Sequence, residues 1–203
     1  MGITPQQFRQ MQDRVSGSKR VAKPVLDNTV PVAPRRNAQV LLGLDPSLRG
    51  TGFGVIRLTT SGPQALAFGT ISCPPGWEHS RCLLKIVQEL RQVLQQHHPE
   101  VCVVEGLFYA QNLQTAIVMG EARGAALAAV AEAGAQIFEL APRRVKQAIV
   151  GYGAAQKLAV AKMVQRMLKL PEPPAHDAAD ALALALAHAQ SVNRYSLAAP
   201  RKI

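Results

Sequence analysis

Four carboxylates stand where they could do chemistry together. Asp45 ends the apolar run Val40-Leu41-Leu42-Gly43-Leu44, and Glu105 ends the run Val101-Cys102-Val103-Val104. Asp177 and Asp180 are the only acids in the Ala-Leu stretch from His176 to Gln190, and their spacing of three puts them on one face of a helix. If the two apolar runs are parallel neighbouring strands, Asp45 and Glu105 leave the sheet at the same edge, where α/β folds carry their sites. Two unit charges about 4 Å apart repel by roughly 4 kcal/mol at an effective dielectric near 20, so four such groups call for cations. Oxygen donors without His or Cys favour Mg²⁺, with Mn²⁺ able to substitute, over zinc. Two such ions side by side support in-line hydrolysis of a phosphodiester. Each acid alone has a plainer reading. A strand-end acid often opens a polar turn, and Asp177, after Pro173-Pro174-Ala175-His176, could simply cap a helix. Those readings do not predict that four acids converge.

The elements that must position these acids follow from periodicity. Strands are expected at about 39–44, 52–59 and 65–72, with a tight turn after Asp45 joining the first two and Ser61-Gly62-Pro63 as a second turn. Apolar residues at helical spacing predict a helix over 80–97, stopped by Pro99. The all-apolar run before Glu105 is the kind of strand buried in a parallel sheet. A helix over about 111–133, a strand over 136–140, and helices opening at Pro142, Ala155 and His176 complete the pattern. This is an α/β fold: a five-stranded mixed sheet with helices on both faces.

The chain has 203 residues and a net charge of +10, which suits one domain that meets a polyanion. Few aromatics interleave the basic residues, which argues against a base-stacking single-strand binder. Half of the charge lies in residues 1–37, read as a disordered basic arm; 38–192 is the folded domain and 193–203 a flexible basic tail. Cys73, Cys82 and Cys102 lack disulfide or zinc spacing, so reduced thiols and a cytoplasmic location are expected. No apolar run approaches the roughly 18 residues of a membrane span, and the N-terminus has no apolar signal core. From Ala141 to Leu170 there are seven cations, among them Arg143, Arg144, Lys146 and Lys157, and no acid. Such a one-signed stretch reads as a phosphate-facing surface.

Four stretches, in order, resemble those of the RuvC Holliday junction resolvases. They are Gly43-Leu44-Asp45-Pro46-Ser47-Leu48-Arg49-Gly50-Thr51-Gly52, Val104-Glu105-Gly106-Leu107-Phe108, Arg143 to Gln147 with Gly151 to Lys157, and His176-Asp177-Ala178-Ala179-Asp180-Ala181-Leu182-Ala183. The resemblance spans about residues 39 to 190. It implies an RNase H-like homodimer that resolves four-way DNA junctions by paired, metal-dependent nicks in recombination and repair. It also implies a bacterial cytoplasmic setting and an association with the RuvA and RuvB branch-migration proteins. By this resemblance Asp45, Glu105, Asp177 and Asp180 are the metal-binding acids, Lys146 and Lys157 serve catalysis or phosphate contact, and Phe108 stacks on a base. Ser47 departs from the family's more usual glycine, and the arm has no counterpart in the family pattern. An ATP-binding protein of the actin and sugar-kinase type also joins an Asp-ended strand to a Gly-rich hairpin. That fold needs two such domains, and this chain has room for one. A non-catalytic relative would be expected to lose some of the acids.

Overall fold

β1 (Val40–Asp45), β2 (Gly50–Thr59) and β3 (Gly62–Ser72) form an antiparallel meander, because connections of a few residues permit only antiparallel neighbours. The computed structural model describes residues 39–106, 112–192 and 200–203. The expected arm, Phe108, and 193–199 of the expected tail lie outside the described residues. After β3 the chain forms α1 (His79–His97), then β4 (Val101–Glu105), which pairs with β1 in parallel. α2 (Leu113–Glu132) leads to β5 (Gln136–Leu140), parallel to β4. Three helices follow: α3 (Pro142–Val150), α4 (Lys157–Leu168) and α5 (His176–Val192).

The mixed sheet has six strands in the order β3-β2-β1-β4-β5-β6, where five are expected. The extra one, β6, is the pair Arg201–Lys202, antiparallel to Phe138 and Glu139 of β5. Two residues carry no readable periodicity; what recruits them is the row of unpaired backbone groups along the outer edge of β5.

Alternation along the strands divides the core into two layers. Val40, Leu42, Leu44, Cys102 and Val104 pack under α1 and α2, while Leu41, Val101 and Val103 pack under α3, α4 and α5. α1 buries Cys82, Ile86, Leu90 and Leu94 at i, i+4 spacing. It ends on His98 in a left-handed conformation, one residue before Pro99. α2 is started by Asn112, whose side chain accepts from the Thr115 N–H at 2.8 Å. Pro142 opens α3 at its first turn, and Gly151 closes it with φ 97°.

α5 is the element that decides where the site lies. Between Ala178 and Ala187 its side chains are almost wholly buried except Asp180. It crosses β1 and β2 at backbone contact distance, which only glycine allows. A methyl group at Gly43 would collide with the Ala181 carbonyl, and one at Gly52 with the Asp177 carbonyl. At Gly54 it would lie 2.7 Å from the Leu182 side chain. Gly50, Gly52 and Gly54 thus belong to β2, which begins two residues before the expected Gly52, and they form a cradle for a helix. The turn itself is Pro46–Arg49. It is fastened by fully buried Thr51, whose hydroxyl donates to the Ser47 carbonyl at 2.7 Å and accepts from the Ser47 N–H at 3.2 Å.

Candidate active site

The site is built from two strand ends and one helix. Leu44 is in register with Val104, so Asp45 and Glu105 emerge side by side from β1 and β4. Alternation points both carboxylates to the α5 face of the sheet. There the cradle brings α5 so close that the Asp177 Oδ2 lies 3.0 Å from where a Cβ on Gly50 would stand. Asp180, one turn along α5, faces Asp45 and Glu105, and its charge raises the pKa of both.

Crowding of like charges in a half-buried place has the expected electrostatic result. Burial first, then the neighbouring Asp180, pushes Asp45 up to about 6. Burial, then Asp45, pushes Glu105 up to about 7. A hydrogen bond between the two side chains and the charge of Lys157 partly offset the rise at Asp45. Lys157 opens α4 and reaches Asp180, its ammonium 3.3 Å from Oδ2. Asp180 accordingly raises the pKa of Lys157. Lys146, on α3, is close enough to Glu105 for its charge to lower that pKa.

Of the residues expected from sequence, Asp45, Glu105, Asp177, Asp180, Lys146 and Lys157 therefore gather at one place. Arg143 and Arg144 are exposed on α3, and the Arg143 side chain lies over Gly153, whose lack of a Cβ leaves it room. Ser47 is exposed and has no positive φ, so the turn after Asp45 accepts its side chain without strain. A cavity of about 500 Å³ lined by Arg91, His98, Glu100 and Glu132 lies at the opposite end of β4 and has no part in this cluster.

Two groups escaped the sequence reading. Arg123 on α2 donates through Nη1 to the Glu105 carbonyl and through Nη2 to Glu139 Oε2 at 2.5 Å. No periodicity could have joined a helix arginine to a strand acid sixteen residues later.

The acids suit a divalent cation in chemistry and charge. All donors are oxygens, and burial together with the neighbouring carboxylates disfavours the charged forms of Asp45 and Glu105, a cost that a cation would relieve in place of protons. Among the described residues, no three carboxylate, imidazole or thiol groups are drawn together into a set that could hold a metal ion as they stand. Asp180 is instead paired with Lys157.

The family described as crossover junction endodeoxyribonuclease RuvC matches residues 41–188, nearly the whole described domain. The chain belongs to the RuvC family. A RuvC crossover junction endodeoxyribonuclease from Akkermansia muciniphila is 45% identical over 148 residues, covering 73% of this chain and 89% of that one. One from Pseudomonas entomophila is 43% identical over 152 residues, covering 75% and 87%. Among solved structures, Thermus thermophilus RuvC in complex with a Holliday junction substrate superposes with a TM-score of 0.73 at 34% identity. That likeness covers 80% of this chain and 99% of the other. The fold is thus the RNase H-like fold of RuvC, and the family consists of nucleases acting on phosphodiester bonds. No described helix is long and apolar enough to cross a membrane.

Proposed function

We propose that this chain resolves Holliday junctions in homologous recombination and DNA repair, introducing paired symmetric nicks by divalent-metal-assisted hydrolysis. One observation carries the reading: Asp45 and Glu105 lie side by side under the α5 acids, in a chain of the RuvC family. Asp45, Glu105, Asp177 and Asp180 hold Mg²⁺, two ions per site, with Mn²⁺ substituting. Such ions, when bound, make a potent nucleophile of water at neutral pH and offset charge on the scissile phosphate. Lys157 and Lys146 bring positive charge to the phosphate at the acid cluster. Arg143 and Arg144 contact the backbone farther out, which supports affinity rather than sequence choice. Phe108 follows Glu105 by three residues and stacks on a base near the crossover.

The reading includes a homodimer. On α2, Leu113 and Ile117 are exposed, and Gly120 and Gly124 have open space where a side chain would stand. A second copy can therefore approach this face closely. A two-fold axis there relates two sites, as two symmetric nicks require. The reading also includes partnership with RuvA and RuvB and a bacterial cytoplasmic location, which the family likeness supports.

The test is cleavage of immobile and mobile four-way junctions, with linear duplex and RNA–DNA hybrid as controls, in Mg²⁺ and in EDTA. Paired nicks confined to junctions, lost in EDTA and in Asp45→Asn, are expected. Junction binding without cleavage would turn the protein into a binding module, and cleavage of the hybrid would overturn the substrate.

A further inference from the structure

Glu105 is held from both sides of the sheet. Its carboxylate projects toward α5, while Arg123 reaches its main-chain carbonyl from the α2 layer. The same guanidinium binds Glu139 on β5, which alternation turns toward α2. The pair is largely buried, with 12% and 21% of the two side chains exposed. A buried ion pair is poor value for stability, since desolvation offsets most of the attraction. An apolar pair would fill this position as well. What an apolar pair could not do is fix the last carbonyl of β4 by a directed, charge-assisted hydrogen bond. Beyond Glu105 the ladder offers one more tie, from the Gly106 N–H to the Leu140 carbonyl at 2.9 Å.

We infer that Arg123, seated on Glu139, is a positioning residue: it sets the backbone at Glu105 and thereby the aim of that carboxylate at the divalent cation. The inference rests on the reading of Glu105 as a metal ligand. Arg123 stands across the sheet from the acids, so it does not reach the cation that they would hold. Its effect falls on metal affinity and leaves junction binding alone. Outer partners that orient a ligand typically change metal affinity by about 10–100-fold.

Replacing Arg123 alone leaves Glu139 buried without its partner and destabilises the fold on that account. The decisive variant is therefore Arg123→Met with Glu139→Gln, with Arg123→Lys beside it. Mn²⁺ affinity is measured by calorimetry on the DNA-free full chain, junction affinity in EDTA, and single-turnover cleavage across Mg²⁺ concentrations. The double variant should bind Mn²⁺ about tenfold more weakly and need about tenfold more Mg²⁺ for half-maximal cleavage, with the rate recovered at high Mg²⁺. Its junction affinity in EDTA should stay within about twofold of wild type. Arg123→Lys, which keeps the charge and loses the fork, should fall between. Unchanged Mn²⁺ affinity in the double variant overturns the role of Arg123, as does a parallel loss of junction affinity in EDTA. Glu105→Gln separates the two claims: if it leaves the Mn²⁺ isotherm unchanged, the metal-site reading fails and this inference with it.

Discussion

The Lys157 ammonium lies 3.3 Å from the Asp180 carboxylate, so a cation from α4 fronts the acid cluster on α5 and the strand ends. Most of the Lys157 side chain is exposed, and exposed pairs of this kind contribute no more than about 1 kcal/mol. Lys157→Met should therefore leave the melting temperature nearly unchanged while lowering single-turnover cleavage about 100-fold, the usual loss for an aligned charge at a reacting group. Stopped time courses at saturating Mg²⁺ check this. A rate within about threefold of wild type removes Lys157 from the chemistry.

The raised pKa of Asp45 fixes the sign of a pH effect on stability. Its carboxyl ionises near 3.8 in the unfolded chain and near 6 in the folded one, so the folded state holds the extra proton between those values. As pH rises through that window the metal-free protein loses stability, and the loss is complete above it. Asp45→Asn removes the charge that causes it. Urea unfolding in EDTA should show little gain for the variant near pH 4, rising to about 1–3 kcal/mol by pH 7. A difference that does not depend on pH contradicts the geometry of the cluster.

The same cost of burying neighbouring carboxylates makes divalent cations stabilising. At about pH 8, where Asp45 and Glu105 are both ionised, millimolar Mg²⁺ should raise the melting temperature above that in EDTA. A ligand present at 100 times its Kd adds about 2.7 kcal/mol. The rise should shrink in Asp177→Asn and Asp180→Asn, and near pH 5, where protons occupy the site. Equal melting in Mg²⁺ and EDTA at both pH values would sink the metal assignment for these acids.

The glycine cradle predicts severe effects from the smallest side chain. Gly43→Ala and Gly52→Ala each drive a methyl group into the main chain of α5. Backbone cannot swing aside as a side chain can, so each should cost at least about 3 kcal/mol, the upper end for overpacked sites. Gly120→Ala and Gly124→Ala meet nothing in the monomer. They should raise its stability by about 0.5–1 kcal/mol each, as alanine does over glycine inside a helix, and weaken self-association in sedimentation experiments. A Gly52→Ala protein that melts like wild type would disprove the close approach of α5.

Much of the site was legible before any coordinates. Strand runs ending on Asp45 and Glu105 and the three-residue spacing of Asp177 and Asp180 are local patterns, set by periods of two and 3.6 residues. The sequence by itself determined the order and type of the main elements, the acid pairs, and the family to which the motifs point. It could not say why the glycines recur at 50, 52 and 54. A strand glycine and a turn glycine look alike until the helix that lies on it is known. Nor could it join Lys157 to Asp180, Arg123 to Glu139 or Arg201–Lys202 to β5, since those contacts depend on how layers stack rather than on any period along the chain. Tertiary structure decided them. Local periodicity fixes which face a residue presents, and only packing of one face on another fixes what it meets.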